Sequence, residues 1–294
     1  MNRRFRFWRR HARLLHWTRP VFLIAAWDFT HRSAGLRALF RLCHHLNNAG
    51  YPSALIHHRP GRIITEFPPW NVFGYEGPVN DTIVVYPEVV SGNPYGGHRV
   101  VRWVLNDPGA LGGDTRYADD ELVFVYDPRK RGAVNRAVSR PIGPERVLWV
   151  SVVDPAVIHA DPTIPRRFDC TYVGKGRAAS ERFPLPAAPN LHRLEDLTPT
   201  AAALGDTLRK TRTLYSYDHY SNVLREAALC GCEVRTLDAD GQWHDPRRCD
   251  CPSNIIWDPN LEANYAAAFH DHRVVEPFIE QLAARWPLPA PRMD

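Results

Sequence analysis

No stretch of this chain approaches the ~18 consecutive apolar residues that a membrane-spanning helix requires. The longest early run, residues 21–26, is short even for a signal-peptide core, and no small-residue cleavage pattern follows it. The expectation is a cytoplasmic protein. Lysine is scarce: of 37 basic residues only Lys130, Lys175 and Lys210 are lysines. So general an arginine excess fits genomic base composition better than a binding code, and it singles out any lysine in a loop. Internal repeats and low-complexity tracts are absent. So are the Gly-x₄-Gly-Lys-Ser/Thr phosphate loop, the Gly-x-Ser-x-Gly elbow, and a Gly-x-Gly-x-x-Gly turn after the first strand. Kinase, hydrolase and dehydrogenase readings therefore lack their signatures. No Asp-x-Asp metal motif stands out, and His44-His45, His57-His58 and His270-Asp-His272 have no further ligands at recognisable spacing. The expectation is an enzyme with no metal and no other cofactor.

What is present is the composition of a globular protein: 294 residues, 44% hydrophobic, enough for one large domain or two ordinary ones. The net charge of +5 is concentrated at one end. Residues 1–20 hold seven arginines and no acid, so the remainder is slightly negative. A nucleic-acid-binding body spreads its basic residues over the fold, and that class loses ground. The arm itself, arginines interleaved with Phe5, Phe7, Trp8 and Trp17, suits docking on an anionic membrane surface. It reads equally as a frayed basic tail. The six cysteines include two Cys-x-Cys pairs, Cys230/Cys232 and Cys249/Cys251. A one-residue gap is poor zinc-knuckle spacing, and buried reduced thiols are the expectation.

Strand-like runs at 21–27, 53–57, 82–86, 99–105, 122–126 and 147–153 alternate with a helix near 36–46 and with turn-rich connections. The segment 154–168, with three prolines and no periodicity, reads as a linker. Beyond it a second β-start at 170–173 runs into Gly174-Lys175-Gly176-Arg177. A helix over 200–210, a strand at 213–216, a helix over 221–230 and a strand at 233–237 follow, with a last amphipathic helix at 274–286. The expected division is a basic arm, 1–19, an N-terminal domain, 20–160, a C-terminal domain, 161–273, and a crossover helix and tail, 274–294.

The strongest chemical signal spans residues 214–234. Asp218 ends a strand, Ser221 and Asn222 stand at the start of the next helix, and Glu226 lies inside it. Amides at a helix start attract phosphate, and a carboxylate two turns in suits a ribose hydroxyl pair. Ser216, Asp218, Glu226, Ala227, Gly231 and Val234 keep the register of a known signature. The stretch resembles the Glu-x₇-Glu motif of retaining glycosyltransferases with the GT-B fold, with Asp in place of the first Glu and no glycine at 220 or 221. The Gly174–Arg177 turn resembles the loop with which such enzymes hold the donor diphosphate, though its spacing differs.

The resemblance implies an α/β protein of two Rossmann-like domains facing a cleft, the second one compact. It implies a metal-independent transferase that moves a sugar from a nucleotide-diphosphate donor to a glycan or lipid-linked acceptor. Asp218, Lys175 and Glu226 would be its catalytic residues. Donor contacts would come from Gly174, Lys175, Arg177, Tyr217, Ser221, Asn222 and Glu226. His31, Ser33, Gly35, Glu88, Asn106 and Asp107, with Asn93, are acceptor-side candidates from loops at strand ends. Were configuration inverted instead, Asp28 or His31 would be the first candidate base. A noncatalytic nucleotide-sugar- or glycan-binding relative is the alternative. The expected partners are a nucleotide sugar, its acceptor, and an anionic surface at the inner face of a membrane, with no nucleic acid.

Overall fold

The computed structural model describes residues 20–219, 221–246 and 261–292. The basic arm and the Cys249/Cys251 pair lie outside the described residues. The chain forms two compact units: Met1–Val150 with His270–Asp294, and Ser151–Phe269.

The first unit is built on a parallel sheet of β1 (Phe22–Ala26), β2 (Ser53–His57), β3 (Ile83–Pro87), β4 (Arg99–Val104) and β5 (Leu122–Val125), in the order β2-β1-β3-β4-β5. Every residue of β1, β2, β3 and β5 is buried. That is why these strands read as continuous apolar runs rather than alternating ones. Helix α1 (Ala34–Asn48) crosses from β1 to β2. Its apolar stripe of Ala38, Leu39, Leu42, Cys43 and Leu46 faces the core, and Ser33 caps it by accepting the Leu36 amide at 3.2 Å. The later crossovers are long loops without long helices. Trp27, Phe73, Tyr75, Val79 and Tyr95 pack them onto the sheet around Leu23, Ile56, Val84 and Tyr86.

The second unit repeats the plan. Its sheet runs β10-β9-β8-β6-β7, from β6 (Phe168–Tyr172), β7 (Leu191–Arg193), β8 (Thr211–Ser216), β9 (Glu233–Leu237) and an antiparallel edge strand β10 (Trp243–His244). Helices α3 (Arg177–Arg182), α4 (Leu194–Leu197), α5 (Ala201–Lys210) and α6 (Val223–Leu229) make the connections, after the short α2 (Arg131–Asn135) of the first unit. Helix α7 (Leu261–His270) leads back, and α8 (Glu276–Ala283) belongs to the first unit, where Phe278 lies 6.0 Å from the Phe22 ring and 4.9 Å from Phe124.

Three expectations are corrected. Residues 147–153 are not a strand: Val147 makes one isolated bridge to Val125. The Trp103 indole and the Tyr126 hydroxyl donate to the carbonyls of Leu148 and Val150, taking the places of ladder partners. The proline-rich stretch is not a boundary, since the division falls at Val150. Asp154 closes a turn over Ala156–Ile158, and Arg209 donates to the Val157 carbonyl at 2.8 Å, which ties this segment into the second unit. The last helix is shorter than 274–286: a 3-10 turn at His272–Val275 precedes α8, with Pro277 in its first turn.

Candidate functional site

In both sheets the strand order reverses once, between β1 and β3 and between β6 and β8. In open parallel sheets ligands commonly bind outside the carboxyl ends of the strands at such a point. The two sequence signals of the second unit leave β6 and β8, so the fold brings them together. Tyr172 pairs in register with Ser216. One residue further on, the Tyr217 amide donates to the Tyr172 carbonyl at 2.9 Å.

The loop after β6 turns at Gly174, whose φ of 48° lies in the left-handed region that glycine tolerates. Gly176 lies so close to the Tyr217 carbonyl that any β-carbon there would collide with it. Asp218 fixes the same loop from the other strand, its Oδ2 accepting the Lys175 amide at 3.0 Å. A second carboxylate, Glu195 on α4, accepts the amides of Val173 (3.0 Å) and Gly174 (3.4 Å) through Oε1. The Gly176 amide donates to the Val173 carbonyl at 2.7 Å. The four amides from Val173 to Gly176 are thus all engaged within the protein. The Lys175 and Arg177 side chains are exposed and form no ion pair with another described residue.

The residues after β8 are mostly buried. Asp218 is 3% and Glu226 1% exposed, and Asn222 donates to Glu226 Oε1 at 3.3 Å. Ser221 joins this segment to β6 through the Tyr172 hydroxyl at 3.3 Å. Burial, then the negative charge of Asp218, Glu195 and Glu226, holds the Tyr172 phenol above its ordinary range. Helix α6 is seven residues long, and the amides of Val223, Leu224 and Arg225 already bond to Ser221 and Asn222. Tyr217 is a packing residue. Its hydroxyl donates to the Phe183 carbonyl and accepts the Leu185 amide, both at 2.9 Å, and its ring lies 5.0 Å from Trp243. His219, half-buried, has its imidazole pKa lowered by desolvation and by nearby His244.

Part of the 214–234 signature has a structural origin. Gly231 (φ 81°) ends α6: the Gly231 and Cys232 amides bond back to Ala228 and Ala227. The Arg166 guanidinium occupies the space where a β-carbon would sit, on its way to the Cys230 carbonyl. Ala227 and Val234 are core. The cysteines Cys43, Cys170, Cys230 and Cys232 are buried free thiols, and burial pushes Cys230 and Cys232 up to about 12.

The acceptor-side candidates occupy the carboxyl edge of the first sheet, but mostly in structural bonds. Ser33 caps α1, and Gly35 lies near the Leu105 side chain. Glu88 is buried and accepts the Leu105 amide at 2.9 Å. Lys130 clamps Asn106 (2.9 Å) and Asp107 (3.0 Å), and Asn93 closes its own loop onto Gly97. His31 sits in the turn before α1. The Thr65 amide, then the Glu66 amide and Thr65 hydroxyl, hold the Asp28 carboxyl below the usual carboxylate range despite slight desolvation.

Two groupings escaped the sequence. Glu195 carries no motif of its own. His44 and His45 meet His272 from the far end of the chain, with His45 Nδ1 3.0 Å from His272 Nδ1. Their nitrogens are taken up by Arg41, Asn48, the Asn71 amide and one another. Among the described residues no three or more His, Cys, Asp or Glu side chains are placed to hold a metal ion, and no helix is long and apolar enough to cross a membrane. Neither a protein-family model nor a curated protein matches the chain.

Proposed function

We propose that the second unit binds a nucleoside-diphosphate sugar and that the protein is a GT-B-type glycosyltransferase acting on a glycan or lipid-linked acceptor. One observation carries the reading. The two segments singled out by residue pattern leave adjacent strands at a topological switch point and are joined there by the Lys175 amide and Asp218, beside two exposed cations, Lys175 and Arg177, that form no ion pair among the described residues.

As the glycosidic bond breaks, the departing diphosphate gains negative charge. Lys175 and Arg177 supply the compensating charge from a loop held in advance by Gly174, Gly176, Asp218 and Glu195. Because the loop amides are engaged, the side chains and not the backbone answer the phosphates. Asp218 serves by fixing Lys175, and Glu226 by fixing Asn222 and the turn after β8. Retention of configuration is what the resemblance to the Glu-x₇-Glu enzymes implies. Arginines of residues 1–20 would bring the enzyme to an anionic surface at the inner face of a membrane, where a lipid-linked acceptor resides.

The test is release of nucleoside diphosphate from a panel of UDP-, GDP-, dTDP- and ADP-sugars. Wild type is expected to release one of them slowly without acceptor, and the Lys175→Ala/Arg177→Ala double variant at least about tenfold more slowly. Donor binding without release would make this a noncatalytic nucleotide-sugar-binding protein. Neither release nor thermal stabilisation by any donor would overturn the reading.

A further inference from the structure

At the carboxyl edge of the first sheet, the chain leaving β2 forms a feature that the donor site does not use. Arg59-Pro60-Gly61-Arg62 is a β-turn. The Arg62 amide donates to the Arg59 carbonyl at 3.3 Å, with proline at the second position and Gly61, φ 78°, at the third. That is the type II form, whose two end residues stand within about 7 Å of each other. Residues 59–63 are all exposed, and a β-carbon on Gly61 would meet nothing within 4 Å, so the tip stands open. Ile63, at 53%, is the most exposed large hydrophobic among the described residues.

The base of this turn is fastened on both sides. The His58 amide donates to the Ala26 carbonyl at 2.8 Å, and the His58 ring stacks on Trp27 with centroids 3.9 Å apart. The Arg59 amide donates to His57 Nδ1 at 3.1 Å. Past the tip, Ile64 is buried, and Asp28 holds the amides of Thr65 and Glu66. A tip held in this way has little freedom left to lose on binding. Its charge is uncompensated: the Arg59 and Arg62 side chains form no ion pair or hydrogen bond with another described residue. Burial first, then His57 and Arg59, lower the His58 imidazole to about 4, so the two arginines carry the charge of the tip near neutral pH.

Two neighbouring guanidinium groups match the oxygens of a phosphate, to which each can donate a parallel pair of hydrogen bonds. An exposed isoleucine directly after them matches an apolar phase beneath the phosphates. A phospholipid surface offers both layers in that order, and a soluble phosphate offers only the first. Stable attachment to a membrane takes two signals, and the seven arginines of residues 1–20 supply the other. We propose that the 59–63 turn is a membrane contact of the folded first unit, its arginines taking the headgroup phosphates of anionic lipid and Ile63 entering the interface. The contact deepens the membrane part of the proposed function and is independent of the donor chemistry.

The full chain is sedimented with vesicles of phosphatidylcholine and phosphatidylglycerol, and with phosphatidylcholine alone. Binding to the mixed vesicles only is the expected result. Arg59→Gln/Arg62→Gln should lower the partition coefficient about tenfold or more at an unchanged thermal midpoint, since an arginine near an anionic surface contributes about fivefold. Ile63→Ser should lower it about threefold or more. Arg116→Gln/Arg140→Gln removes the same charge from exposed positions elsewhere on this unit and should change it less than about twofold. Mixed vesicles should also slow hydrogen exchange across residues 58–64, which reads the contact without a substitution. Equal losses in the two double variants overturn the contact, because net charge alone then acts. So does binding that falls on removal of residues 2–18 and is indifferent to Arg59, Arg62 and Ile63. Protection of 58–64 by inorganic phosphate, with none by vesicles, makes the turn a site for a soluble phosphate and overturns the lipid assignment. Failure of the wild type to bind mixed vesicles overturns this contact and the membrane part of the proposed function together. Turn-dependent vesicle binding without nucleoside-diphosphate release supports the contact and overturns the donor reading alone.

Discussion

A single arginine explains why the carboxyl edge of the first sheet is built so tightly. Arg102 is 0% exposed and pairs with both Glu121 oxygens, at 2.9 and 2.8 Å. It also donates to the carbonyls of Val90 and Gly92, at 2.5 and 2.7 Å, and stacks over the rings of Tyr86 and Tyr117. One guanidinium thus ties the loop after β3 to β4 and Glu121, which a lysine's single ammonium cannot copy. Arg102→Met removes one partner of a buried pair and leaves Glu121 and the loop carbonyls bare, at a cost of about 3–5 kcal/mol in urea unfolding. A loss below about 1 kcal/mol would mean that the loop is held by other contacts. In the second unit the comparable residue is Gly176. Its α-carbon faces the Tyr217 carbonyl so closely that Gly176→Ala must push β6's loop off β8. The expected outcome is a lower thermal midpoint together with weakened nucleotide binding. Retention of both would show that the two loops are not locked together as described.

At the scale of elements, the connection between α1 and the returning 3-10 turn is a proton-dependent joint. Arg41 donates to His45 Nε2, so the His45 Nδ1–H must donate to His272 Nδ1, and both rings are neutral. His44 accepts the Asn71 amide at Nδ1. Desolvation first, then Arg41 and the neighbouring rings, lowers His45 to about 3 and His44 to about 4; His272 is lowered by desolvation and Arg41 against the opposing pull of Asp271. Unfolded histidines titrate near 6.5. Below that pH the unfolded chain binds protons that the folded one refuses, so stability rises with pH across this range. The contribution is complete above about pH 7 and is lost progressively between about 6.5 and 4. The midpoint of thermal unfolding should fall by several degrees from about pH 7.5 to about pH 5, and His272→Asn should flatten that slope. A wild-type midpoint constant over this range would contradict the joint. None of this was legible in the residue pattern. Helix α1 itself was, because its apolar spacing is a local property. The histidine contact joins residues 227 positions apart, and no local periodicity announces such a pair.

For the molecule as a whole, two sheets of the same strand order pose the question of which one holds a ligand. Both have a switch point, so topology does not choose between them; the proposed function places the ligand at the second on charge and side-chain engagement. At the first sheet, Asp28 is spent on Thr65 and Glu66, Glu88 on the Leu105 amide, and Lys130 on Asn106 and Asp107. At the second, Lys175 and Arg177 stand exposed on a glycine loop beside Glu195. The residue pattern already marked 174–177 and Asp218, since both are punctuated by glycine or by the end of a strand. It passed over Glu195 because the acid acts through its place beside β6, which only strand pairing reveals. Gly231 and Ala227 also have a structural reason for their spacing, in ending and packing a helix. Hydrogen exchange with and without the tightest-binding nucleoside diphosphate puts the choice to the test. Protection should rise across residues 172–182, 191–197 and 216–226 and stay level at 28–35 and 88–93. Binding energy reaches the amides of a segment only where contacts stabilise it against local opening, so a phosphate over the glycine loop must slow exchange there first. Protection centred on 28–35 instead would move the ligand to the first sheet and make Lys175 and Arg177 bystanders.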